Sequence, residues 1–109
     1  TRRNAHHTGV DIAAPAGTPV HAAQGGRVVF AGERYGYGKT IIIEHRFGYN
    51  TLYGHLGSVQ VRRGQQVEGG MVIGTVGSTG RSTGPHLHFE IWLKNRKIDP
   101  LTQTNMAVR

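Results

Sequence analysis

The apolar residues of this chain recur in short β-branched runs bounded by glycine, not at helical spacing. Val28-Val29-Phe30, Thr40-Ile41-Ile42-Ile43, Met71-Val72-Ile73 and the alternating Leu87, Phe89, Ile91 and Leu93 each read as a strand. No segment of helical length carries a convincing amphipathic pattern. Gly36 and Gly38 precede the isoleucine run, and Arg46-Phe47-Gly48 separates it from Tyr49-Asn50-Thr51-Leu52-Tyr53. That is the layout of a β-hairpin with a glycine-containing loop. Gly64, Gly69-Gly70, Gly74, Gly77, Gly80 and Gly84 punctuate the second half in the same way. Seventeen glycines in 109 residues, without a triplet period and with only four prolines, fit neither collagen nor a Pro/Gly-rich disordered tract. The pattern predicts an all-β fold of mostly antiparallel strands, closed into a sandwich or barrel-like sheet. The length suits one domain over residues 1–109, with its core at about 7–101 and a polar tail at 102–109 that is a short helix or disordered.

Composition narrows the chemistry. The chain has no cysteine, which excludes disulfides, iron–sulfur clusters and thiolate zinc sites, so any metal must be held by histidine and carboxylate. No apolar stretch approaches the ~20 residues of a membrane-spanning helix. No signal peptide is present, so a targeting segment or membrane anchor is expected upstream of Thr1 if the protein is exported. Thirteen Lys and Arg against six Asp and Glu give a formal charge of +7. Such a charge suits nucleic acid, an anionic membrane or an acidic polymer, or is simply a solvated surface. The basic residues are scattered as Arg2-Arg3, Arg62-Arg63 and the cluster Lys94-Asn95-Arg96-Lys97, with no basic helix and no aromatic-glycine signature of an RNA-binding sheet. Nucleic acid is not the expected partner.

The seven histidines are more telling by placement than by number. In Gly84-Pro85-His86-Leu87-His88-Phe89-Glu90, strand alternation turns Leu87, Phe89, Ile91 and Leu93 to one face and His86, His88, Glu90 and Trp92 to the other. The two imidazoles then lie about 7 Å apart at Cα and can reach one cleft. Alone, the pattern reads as the polar face of an ordinary sheet; a metal role is the alternative. His7 and Asp11, in His7-Thr8-Gly9-Val10-Asp11, would be ~13 Å apart on a straight strand, too far to meet at ligand bonds of about 2 Å. A turn or bulge at Thr8-Gly9 would bring them together, and glycine permits one. Taken alone, an ordinary turn explains this segment as well. His55, in Tyr53-Gly54-His55-Leu56, shares a strand face with Thr51 and Tyr53 and alone is a polar-face histidine. In combination, two histidines and one aspartate make a three-ligand site with an open position for water, and further histidines remain as acid–base groups.

These three segments, together with Ala13-Ala14-Pro15-Ala16-Gly17-Thr18-Pro19-Val20 and Gly74-Thr75-Val76-Gly77-Ser78-Thr79-Gly80, resemble the lysostaphin-type, or LytM-like, zinc metallopeptidases that cut peptidoglycan peptides. The resemblance runs from His7 to about Leu101, with the motifs in the family's order. It implies a cleft holding one zinc ion per chain through His7, Asp11 and His88. It implies His86 as the base acting on zinc-bound water, and His55 as the group that stabilises the oxyanion or serves the leaving group, with Tyr53 lining the cleft. His6 is a second candidate for the first ligand, but the spacing His7-x-Gly9-x-Asp11 favours His7. His21 and His45 match no ligand of the family and are expected to be ordinary sheet residues. Members usually carry more sequence before the first histidine, so the chain is expected to be an excerpt of a longer one, with any anchor or wall-binding domain outside it.

The expected function is therefore a D,D-endopeptidase of peptidoglycan cross-links, in preference to a glycyl-glycine endopeptidase, located in the bacterial cell envelope. The main alternative is an inactive relative that binds the wall or activates a partner hydrolase. Such relatives lack one or more of the five metal and catalytic positions; this chain has all five. A lipoyl- or biotinyl-carrier reading, prompted by the hairpin-like Arg63 to Gly74, fails because Thr75 to Thr83 holds no lysine to carry the cofactor.

Overall fold

Glycine-bounded runs become strands in the computed structural model, which describes residues 9–78 and 84–93 and the backbone of 96–98. Nine strands are present: β1 (Val10–Ala13), β2 (Pro19–His21), β3 (Gly26–Arg34), β4 (Gly38–Glu44), β5 (Tyr49–Val59), β6 (Gln66–Val67), β7 (Val72–Val76), β8 (His86–Leu93) and β9 (Arg96–Ile98). Every pairing is antiparallel, in one sheet ordered β1-β8-β5-β4-β3-β6; β7 pairs with both β5 and β2, and β9 with β8. The only helical segment among the described residues is a 3-10 turn at Arg46–Gly48, so none is long and apolar enough to cross a membrane. The all-β expectation holds. The polar tail at 102–109, the stretch Thr79 to Thr83 and the side chains of the Lys94–Lys97 cluster lie outside the described residues.

The predicted hairpin forms as β4 and β5, with Ile42 opposite Leu52 and Glu44 opposite Asn50. Its loop turns through Phe47, a non-glycine residue at φ 62° whose side chain is exposed. β5 is the central strand. From Tyr49 to Gly54 it is paired on one side with β8, and on the other its register with β4 runs from Asn50 to Leu56. Beyond a bulge at Gly54-His55, its Leu56 to Val59 segment pairs with β7.

The core follows from strand alternation. Ile41 and Ile43 of β4, Leu56 of β5 and Ile73 of β7 are fully buried, and they cluster with Val20, Val28, Tyr53, Val67 and Val76 from five further strand positions. Each such side chain contributes roughly 1.5–3 kcal/mol by leaving water. On β8, Leu87 and Phe89 pack against this cluster, as the apolar stripe predicts. The opposite face of β8 is not open to solvent as a polar outer face would be: His88 is 8% exposed and Glu90 0%. His21 is a sheet residue of β2, as expected, whereas His45 lies between β4 and the 3-10 turn and not in the sheet. The His21 Nδ1 lies 2.8 Å from the Gly70 carbonyl oxygen, and His45 bridges the Gly25 carbonyl and the Thr51 hydroxyl.

Candidate metal and catalytic centre

The centre lies where β1, β5 and β8 meet. Pairing of β1 with β8 sets Asp11 directly opposite His88. The approach depends on Gly9, whose φ of 136° is a conformation other residues avoid. A Cβ on Gly9 would stand 2.2 Å from the Phe89 carbonyl oxygen and 2.7 Å from Glu90 Cγ. Glycine at this position therefore lets β1 close against β8. The predicted convergence of His7 on Asp11 lies outside the described residues, as does His6.

Across this junction His88 Nδ1 is 2.7 Å from Asp11 Oδ1, and His86 Nε2 is 3.6 Å from the same oxygen. The His86 Nδ1 is 2.9 Å from the Gly84 carbonyl oxygen, which can only accept. That bond puts the His86 lone pair on Nε2, the nitrogen facing Asp11, when the ring is neutral.

His55 reaches the same place by breaking the strand rule. It sits at φ 59° within the Gly54-His55 bulge, and its N–H donates to the Tyr37 carbonyl at 2.6 Å. Its ring centroid is 4.8 Å from that of His86 and 5.9 Å from that of His88. The period-2 reading, which grouped His55 with Thr51 and Tyr53, is corrected here, because a bulge adds one residue and reverses the side-chain facing beyond it. Tyr53 is corrected too. It is a core residue, 1% exposed, with its ring 5.4 Å from Phe89 and its hydroxyl bonded to Ala23 N–H and the Thr51 hydroxyl, so it does not line the cleft.

Beneath the histidines lies Glu90, a residue that sequence reasoning placed on the right face but gave no role. Its Oε2 accepts from His88 Nε2 at 2.8 Å and from the Tyr37 hydroxyl at 2.9 Å, while Oε1 accepts from Trp92 Nε1 at 2.7 Å. Burial alone would raise the Glu90 pKa, but hydrogen bonds from His88, Trp92 and Tyr37 outweigh it and hold the carboxyl below the usual range. Burial likewise works to lower His88, yet the hydrogen bonds and charges of Glu90 and Asp11 prevail and raise it. Tyr37 is pushed up to about 12, first by burial and then by the Glu90 charge. On the same face, past Trp92, opens a cavity of about 260 Å³ lined by Val29, Arg34, Ile42, Asn50, Leu52 and Trp92.

Among the described residues, which do not include His7, no cluster of three or more His, Cys, Asp or Glu side chains is set to hold a metal ion. The donors that do converge, imidazole nitrogens and an exposed carboxylate, are of the type zinc takes. The second nitrogen of His88 is bound to a buried carboxylate, as is usual for a metal-ligating histidine. The donor set fits zinc.

The model of "Peptidase family M23" matches residues 5–100. The chain belongs to peptidase family M23. The M23 match spans all three motifs on which the lysostaphin-type resemblance rests. Among relatives, the chain is 50% identical over 96 residues to the DD-carboxypeptidase/endopeptidase Mpg of Neisseria meningitidis serogroup B, covering 88% of this chain and 22% of that protein. It is 42% identical over 101 residues to the peptidoglycan DD-endopeptidase ShyB of Vibrio cholerae, covering 93% of this chain and 24% of that one. The chain thus spans about a quarter of the length of these M23 relatives or less. Its fold superposes on the catalytic domain of the antimicrobial peptidase lysostaphin from Staphylococcus simulans with a TM-score of 0.86 and 38% identity, over 91% of this chain and 79% of that one.

Proposed function

We propose that this M23 chain, with its peptidase domain at about residues 7–101, is a zinc-dependent endopeptidase of the bacterial cell envelope that hydrolyses peptide cross-links of peptidoglycan. The observation that carries the reading is the convergence of Asp11, His55, His86 and His88, from three strands, on one point of the sheet. The substrate class is supported by the names of the Neisseria and Vibrio relatives, which also favour cleavage at a D,D bond over a glycyl-glycine bond.

His7, Asp11 and His88 would hold the metal. When bound, zinc supplies a Lewis acid that polarises a carbonyl and acidifies water towards neutral pH. His86, its Nδ1–H fixed by the Gly84 carbonyl, presents Nε2 to take a proton. His55, packed against the His86 ring, faces the same space and would donate a hydrogen bond to developing oxyanion charge or a proton to the leaving amine. His55 is itself buried, which strengthens the contacts its ring makes. An inactive, wall-binding relative is the weaker reading, because both acid–base histidines are present and adjacent.

Purified protein is expected to contain about one zinc per chain and to release cross-link fragments from defined cell walls, identified by mass spectrometry. His88→Ala is expected to lose the zinc. His86→Ala and His55→Ala should retain it while cleavage falls by about 10²-fold or more. Full zinc retention by His88→Ala, or cleavage by either other variant at the original rate, would remove that residue from its role. Chelator-resistant cleavage would overturn the metal reading as a whole.

A further inference from the structure

Glu90 is the only Asp, Glu, Lys or Arg side chain buried among the described residues. Burying a carboxylate is costly unless its lone pairs are used, and here three donors use them. Trp92 and His88 lie on Glu90's own strand, two residues either side, and Tyr37 reaches over from the β3–β4 connection. The Trp92 indole can only donate, so Oε1 is an acceptor; Oε2 receives two further contacts. An acceptor at this position constrains His88 in turn. Nε2 donates to Glu90, and Nδ1, which here faces the Asp11 carboxylate, is the nitrogen left to a metal that takes up its lone pair.

The geometry points to Glu90 as a positioning residue for the metal centre. It holds the His88 ring through Nε2 in the orientation that presents Nδ1 beside Asp11, while Tyr37 and Trp92 fix the carboxylate itself. This rests on the reading of His88 as a metal ligand and deepens it. The packing supports a positioning role over a merely structural one. The Tyr37 ring lies 5.5 Å from the His88 ring, so the group that anchors Glu90 also closes one side of the imidazole. Tyr37 lies over the sheet at Gly54, the partner of His88 on β5, where a Cβ would meet its ring at an ordinary contact distance of 3.4 Å.

Two measurements test the inference. Metal-free wild-type protein labelled with ¹⁵N-histidine is examined by ¹H–¹⁵N spectra of the imidazole rings. A His88 Nε2–H proton that is hydrogen-bonded and slow to exchange is expected, and its absence overturns the proposal without any variant being made. Zinc affinity is then measured by chelator competition in wild type, Glu90→Gln and Tyr37→Phe. Glu90→Gln should bind zinc roughly 10–100-fold more weakly, and Tyr37→Phe should fall between it and wild type. Unchanged affinity in folded Glu90→Gln protein overturns the proposal. The two readings fail separately. Protein that binds zinc with this dependence yet cuts no cell wall refutes the substrate, not Glu90. Protein that binds no zinc refutes the metal reading, while the Nε2–H proton still reports on the Glu90 contact.

Discussion

His88 stands between two carboxylates, Asp11 on Nδ1 and Glu90 on Nε2, and each carboxylate has a different setting. Asp11 is solvent-facing, with a side chain 64% exposed, so its negative charge is available to a cation arriving from outside. Glu90 is sealed beneath the sheet face and can act only through the groups it touches. The Tyr37 hydroxyl belongs to the same network, and its behaviour in alkali follows from its position. Burial and the neighbouring Glu90 charge raise it from 10.0 to about 12, against a smaller opposing effect of Arg34, whose guanidinium lies 5.4 Å from the ring centroid. A group with a raised pKa in the folded state contributes stability that is intact below its unfolded value and is lost as pH climbs through the folded one. Denaturant unfolding followed across this range should therefore show stability falling between pH 10 and about 12. Tyr37→Phe should flatten that decline without abolishing it, because burial also raises Tyr53. Identical alkaline slopes in the two proteins would show that Tyr37 is not the residue responsible.

At the scale of elements, alternation made β8 legible: His86-x-His88-x-Glu90 on one face and Leu87-x-Phe89 on the core side is what the strand presents. The β4–β5 hairpin was legible for the same reason. The rule failed at Gly54-His55, where one extra residue reversed the facing; the lone Gly54 inside the strand pattern is the one sequence signal of a bulge there. It failed again for Glu90, whose partner Tyr37 is 53 residues away and joins it only through the pairing of β4 and β8 on either side of β5. Gly9 is the intermediate case, since a bend was expected there but the strand it lets approach was not. The structure makes this testable. In Gly9→Ala the new methyl would meet β8 backbone at a disallowed distance as well as an unfavourable φ, so β1 must lift from β8. A loss of roughly 1–3 kcal/mol is expected in urea unfolding, with faster amide exchange confined to Val10 to Ala13. Gly17, also at positive φ but with nothing within 4 Å of an added Cβ, is the control. Gly17→Ala should carry backbone strain alone and leave β1 protection as it was.

Over the whole molecule, the charge and the centre act over different distances. The formal charge of +7 is the excess of 13 scattered Lys and Arg over six Asp and Glu, and the exposed basic residues, such as Arg62 and Arg63, face water. Any attraction of these side chains to an anionic polymer is a field effect, screened with a Debye length of about 10 Å at 0.1 M salt and about 3 Å at 1 M. The contacts among His88, Glu90, Tyr37 and Trp92 are 2.7 to 2.9 Å long and buried from ions, so salt should barely reach them. Raising salt should therefore separate adsorption from chemistry. Pelleting with intact cell walls is expected to weaken steeply between low and high salt, while the rate on a short, soluble, net-neutral cross-linked peptide changes little. A parallel fall in both would place the salt-sensitive charges within the centre itself. Adsorption that ignores salt would instead mean that the basic surface is only solvated.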